Sequence, residues 1–155
     1  MEKAKEMETP MEMNLKMNKD EGKLPKDARS FQQVVGSLIH LTITRSEIAY
    51  SVGVISQFMQ DPRTPHLEAS KRILCYIKGL VDYGLMYEKG NDFVLQGFTD
   101  TDWAGDTAGR RSTSGYCFNL GSVAVSWCSK KQSTIAFSST KAEYIAATME
   151  AQEYI

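Results

Sequence analysis

The spacing of apolar residues in this chain changes once, near Tyr83, and that change restricts the fold to an α+β class in which helices precede strands. Before it, Phe31, Val34, Val35, Leu38 and Ile39 recur at three- and four-residue intervals. Ile48, Val52, Ile55 and Met59 repeat the pattern after a break at Thr42–Ser46, so two amphipathic helices are expected. The run from Asp61 to Pro65 reads as a turn. Within it, Thr64 followed by Pro65 is the signature of a hydroxyl N-cap with proline at the first helical position. The third helix is expected to bury Ala69, Ile73, Tyr76 and Ile77 and to stop at Gly79. Lys71, Arg72 and Lys78 then lie elsewhere on its surface, either solvated or against a phosphate backbone.

After Tyr83 the runs are short, rich in β-formers and divided by glycine turns. Leu85–Glu88 and Phe93–Thr99 are expected to pair through a turn at Lys89–Asp92. Gly115–Leu120 and Val123–Cys128 are expected to pair through Gly121 and Ser122, with Val123, Val125 and Trp127 on one face. Ser139 to Ile155 reads as a terminal helix opened by hydroxyl caps. Residues 1–28 are polar, broken by Pro10, Gly22 and Pro25, and are expected to be a disordered or extended lead-in. The expected division is therefore 1–28, a helical segment 29–82, and a strand-rich segment 83–155.

The chemistry-bearing run is Gly97-Phe-Thr-Asp-Thr-Asp-Trp-Ala-Gly-Asp. Asp100 and Asp102 stand two apart at a strand end, where alternation sends both carboxylates to one side. Two acids so placed repel unless a cation joins them, and hard divalent ions take carboxylate oxygens. Glu143, on the first turn of the terminal helix, could supply a further oxygen if that helix packs back on the sheet. A solvated turn explains an Asp-x-Asp about as well. Formal net charge is only −1, so any case for nucleic acid is local. From Thr107 to Ala142 there is no acid, whereas Arg110, Arg111, Lys130 and Lys131 fall in that window. These cations suit a phosphate backbone beside the acids, or simply a soluble surface.

Three cysteines, Cys75, Cys117 and Cys128, form no CxxC pair, which argues against a disulfide framework or zinc site. No signal peptide or bilayer-length apolar run is visible. An intracellular protein, cytoplasmic or nuclear and not secreted, with no membrane partner, is the expectation.

Beyond these local signals, the chain from about Thr9 onward resembles the Pol polyprotein of copia-type long-terminal-repeat retrotransposons, from the end of reverse transcriptase into ribonuclease H. The likeness rests on Val35-Gly-Ser-Leu-Ile-His-Leu-Thr, Ile48-Ala-Tyr-Ser-Val-Gly, Lys71-Arg-Ile-Leu, Tyr76-Ile-Lys-Gly and Tyr83-Gly-Leu. It continues in the Asp100 run, Arg111-Ser-Thr-Ser-Gly-Tyr, Val125-Ser-Trp-Cys-Ser-Lys-Lys-Gln and Ser138-Ser-Thr-Lys-Ala-Glu-Tyr-Ile-Ala. The resemblance implies a helical connection followed by a truncated ribonuclease H-like fold. It further implies catalytic, metal-ligating roles for Asp100 and Glu143, with Asp102 as a further candidate ligand and Mg²⁺ or Mn²⁺ as the ion. The implied partners are an RNA/DNA hybrid or other nucleic acid and the remaining Pol polyprotein. In the family the later metal-binding acids lie in motifs that would fall beyond Ile155, so this chain is expected to be inactive alone. The alternatives are a non-catalytic fragment that binds nucleic acid or polyprotein, and a genomic relic without selected function. Small departures, Thr44-Arg-Ser-Glu, Gly109 and Lys141, look like drift.

Overall fold

The computed structural model describes residues 4–155 apart from 14, 26, 88, 90–93, 107 and 108. It has an α+β arrangement and divides into two compact units, Met1–Gly84 and Leu85–Ile155.

In the first unit, α1 (Ala28–Leu41) starts where the Asp27 side chain accepts from Ser30 N, a cap that satisfies one of the helix's unpaired first-turn donors. A 3₁₀ turn at Ser46–Ile48 leads into α2 (Ala49–Ser56), and α3 (Thr64–Lys78) follows. The expected second helix is thus shorter: the chain leaves it in turns at Phe58 and Met59. The apolar stripes meet in one core of Phe31, Val35, Leu38, Ile48, Val52, Ile55, Ala69 and Ile73. Each large side chain so buried stabilises the unit by roughly 1.5–3 kcal/mol. Tyr76 and Ile77, expected inside, are only partly buried against this core.

The start of α3 differs from the sequence expectation. Its N-cap is Arg63, not Thr64, because the His66 ring accepts the Arg63 N–H through Nδ1 at 2.9 Å. Thr64 instead donates both its N–H and its hydroxyl to the Lys23 carbonyl at 2.9 Å. The described residues of 4–27 form no helix or strand but run along the helical core, with Met11 and Met17 packed on it. Arg72 pairs with Glu12 at 3.0 Å and also donates to Thr9, while Lys78 donates to the Ala4 carbonyl at 3.0 Å. Two of the three cations on this helix therefore hold the leading segment.

The second unit is a three-stranded antiparallel sheet in the order β1 (Leu95–Asp102), β2 (Thr113–Leu120) and β3 (Val123–Lys131), followed by α4 (Ser139–Tyr154). Leu85–Tyr87 are not in a strand, and the turn expected at Lys89–Asp92 lies largely outside the described residues. Gly121, with φ of +61°, opens the two-residue β2–β3 turn, a conformation that glycine adopts without a Cβ penalty. The β2–β3 register slips between Phe118 and Asn119, leaving Val125 as the extra residue of a bulge. Cys117 faces Trp127 on one side of the slip and Asn119 faces Ala124 on the other, so Val123 and Trp127 fall on opposite faces rather than one. The face that α4 covers carries Ser114 and Phe118, both buried, and Gln132 fastens it by donating to Ser114 Oγ at 2.7 Å and the Ala142 carbonyl at 3.0 Å.

Candidate active-site cleft

The acids of the sequence motif sit on two elements whose starts and pairings are fixed locally. Asp100 pairs with Gly115 and Asp102 with Thr113 in the β1–β2 ladder, so the two aspartates share a face as expected. Ser138 caps α4 by accepting from Lys141 N at 3.2 Å. That start sets the helix phase: Ala142 and Ala146 turn inward, and Thr140, Glu143, Tyr144 and Ala147 recur at the spacing of one helical face.

Asp100 and Glu143 border one cleft of about 440 Å³, whose wall is completed by Thr99, Thr140, Tyr144, Ala146 and Ala147. Both carboxylate residues are exposed. Strand alternation sets Asp100 opposite to Thr99 and Thr101, which share the α4-covered face with Ser114; as β1 is an outer strand, Asp100 reaches the cleft at its rim. Asp102 has a separate task, since its Oδ1 accepts the Thr113 N–H and closes the end of the ladder. Among the described residues, no three His, Cys, Asp or Glu side chains converge as a metal centre requires. Two exposed carboxylates and a third already held by the backbone do not fit a pair of divalent ions, which needs several oxygen ligands around both.

The loop after β1 gathers the basic residues at this end of the sheet. Asp106 organises it: Oδ2 accepts Gly109 N–H at 3.0 Å and pairs with Lys131 at 2.6 Å. The Asp106 carbonyl accepts Arg110 N–H at 2.8 Å, and Arg110 takes a left-handed φ of 53°. Arg110 and Lys130 are exposed, and Arg111 is half-buried. Lys130 and Lys131 are adjacent on β3, so they alternate to opposite faces, and Lys131 is occupied by Asp106. The four cations lie near one end of the sheet without forming one row. Asp106 and Tyr144 escaped the sequence reading; the Thr140, Glu143, Tyr144, Ala147 spacing was the signal for the latter. Nearby, burial pushes the thiol of the half-buried Cys128 up from its usual range.

No protein-family model and no solved structure matches the chain. Curated relatives do. The retrovirus-related Pol polyprotein from transposon RE1 of Arabidopsis thaliana is 42% identical over 98% of this chain, and the corresponding polyprotein from transposon TNT 1-94 of Nicotiana tabacum is 40% identical over all of it. The chain belongs to the copia-type retrotransposon Pol polyprotein family. It spans about a tenth of the length of those polyproteins: 10% of the first and 12% of the second. Shorter members of this similarity group include an uncharacterized mitochondrial protein of Arabidopsis thaliana, 40% identical over 97% of this chain and 62% of its own length. No helix among the described residues of this Pol-family chain is long and apolar enough to cross a membrane.

Proposed function

We propose that residues 83–155 are the front part of a ribonuclease H-like region, and that residues 29–82 are the helical connection following reverse transcriptase in a copia-type Pol polyprotein. On this reading Asp100 and Glu143 are the carboxylates that this stretch contributes to hydrolysis of the RNA strand of an RNA/DNA hybrid. One observation carries it: two acids far apart in sequence, one on the first strand and one on the helix after three strands, border the same open cleft. Exposed carboxylates at a cleft rim are open to a cation, which is what phosphodiester hydrolysis asks of them. Cations at the same end, Arg110, Arg111 and Lys130, are placed to meet phosphates.

The ligand set at this cleft is incomplete, so the chain alone binds hybrid without cutting it. Completion falls to carboxylates from elsewhere in a polyprotein. The test incubates the purified chain with end-labelled RNA/DNA hybrid in Mg²⁺ or Mn²⁺ and measures binding and cleavage separately. Salt-sensitive binding without cleavage is expected. Cleavage that disappears in Asp100→Asn would contradict the incompleteness, and absence of any salt-sensitive binding would contradict the nucleic-acid reading.

A further inference from the structure

Among the described residues of the second unit, the most exposed large aromatic side chain is Phe137, at 85% of its accessible surface, immediately before the α4 cap. A residue at this position often folds onto the helix's fourth position. Here that position is Ala142, which is fully buried and offers no surface to cover. Instead the Lys141 ammonium stands over the Phe137 ring, 5.5 Å from its centroid. Lys141 is followed one turn later by Tyr144, 72% exposed, which also lines the Asp100–Glu143 cleft. Trp103, half-exposed, anchors the neighbouring backbone by donating its indole N–H to the Ala136 carbonyl at 3.1 Å. Trp103, Phe137 and Tyr144 are thus exposed aromatics beside a strand end and a helix start that are both held by hydrogen bonds, and Tyr144 among them lines the cleft.

We propose that Phe137, Lys141 and Tyr144 form a stacking platform for a polynucleotide strand, with a base on the Phe137 ring, its phosphate on Lys141, and Tyr144 guiding the strand toward Asp100 and Glu143. The proposal deepens the hydrolytic reading and rests on it for the identity of the cleft. Base–aromatic stacking needs a flat, open ring, and phosphate recognition needs a cation beside it. A nucleotide supplies partners for both groups at once. A protein segment covering Phe137 would also bury the Lys141 ammonium, which is costly without an acid set against it. Unlike the four cations near the sheet end, Lys141 and Tyr144 are three residues apart on α4, and the Lys141 ammonium already lies over the Phe137 ring.

The test measures binding of fluorescein-labelled RNA/DNA hybrid and of a single-stranded oligonucleotide to the full chain by anisotropy, in EDTA so that no cleavage enters. Phe137→Ala and Tyr144→Ala are each expected to weaken binding about fivefold or more, the lower end of what one base stack contributes. Phe137→Trp should retain affinity and Phe137→Leu should not, which separates stacking from mere apolar contact. Lys141→Ala should reduce the slope of affinity against salt by about one phosphate contact, while Phe137→Ala leaves that slope unchanged. The assay holds no free metal and reads no cleavage, so failure of the hydrolytic reading would leave these affinities as they are and would not by itself remove the platform. No binding by the unaltered chain, equal binding by Phe137→Leu, or capture of a polyprotein segment at Phe137 with nucleic-acid affinity unaffected by Phe137→Ala would each overturn the proposal. Circular dichroism of each variant should match the parent, because the altered side chains are exposed.

Discussion

Replacing His66 by alanine should loosen the helical unit more than any surface change in it, and the size follows from the contacts the ring makes. The ring is completely buried, lies 3.8 Å from the Phe58 ring centroid at 15° to its plane, accepts the Arg63 N–H, and meets the Asn18 carbonyl at 3.2 Å. With Nδ1 accepting, the neutral ring carries its proton on Nε2 and donates it to Asn18, so one imidazole joins the leading segment, the cap of α3 and the turn after α2. Losing the stack costs about 0.5–1.5 kcal/mol. Leaving the Arg63 donor without its acceptor costs about 1–3 kcal/mol more. The sum, about 1.5–4.5 kcal/mol, corresponds to a roughly ten- to thousandfold fall in protection of the slowest amides of α1–α3. Hydrogen exchange read by mass spectrometry is the suitable assay, because both tryptophans, Trp103 and Trp127, lie in the other unit and fluorescence would miss the effect. Unchanged protection in α1 and α3 of the His66→Ala chain would refute the reasoning.

The same ring sets a pH dependence. Burial lowers the His66 pKa from its ordinary value of 6.5, ahead of the opposing effect of its bond to Asn18. The unfolded chain therefore binds the proton first, so stability of this unit is full above about pH 6.5 and falls as pH drops from there through the folded-state pKa; exchange rates at matched chemical pH correction should show this in the parent and not in His66→Ala. Gln132→Ala removes the side-chain amide that joins Ser114 to Ala142 at 97% burial and should cost about 1–3 kcal/mol in urea unfolding followed by tryptophan fluorescence. Gly97→Ala places a Cβ in overlap with Glu150 Oε1 and 2.8 Å from Phe118 Cε1; the glutamate can swing away but the buried ring cannot, so a loss of about 1–3 kcal/mol is expected by the same assay.

The helices were legible because burial on one side imposes a period that survives in the sequence: Phe31, Val35 and Leu38 announce α1, and Ile73 announces the buried side of α3. The cap of α3 was not, because Thr64-Pro65 imitates a capped start while the acceptor actually used is an imidazole three residues after Arg63, a rare partner. In the sheet, alternation tells which residues share a face only while the register is unbroken. The bulge at Val125 reverses it, and no side chain in Val123–Cys128 marks the position. Leu85–Tyr87 has strand-like composition, but composition does not supply a partner for its backbone. Asp100 and Asp102 were correctly placed side by side, whereas their division of labour depends on Asp102 turning back to Thr113 N–H, a tertiary detail. Lys130 and Lys131 read as a basic pair, yet adjacency on a strand separates them, and Asp106 claims one of them.

The most direct measurement of the central claim is hybrid cleavage by a chimaera in which this chain replaces the aligned stretch of the transposon RE1 Pol polyprotein, with the unaltered polyprotein as control. If Asp100 and Glu143 are the carboxylates this stretch supplies, the chimaera cuts the RNA strand whenever the control does, and Asp100→Asn or Glu143→Gln each lowers the rate by at least about a hundredfold at unchanged hybrid affinity. Cleavage by the chimaera that survives both substitutions would contradict the claim.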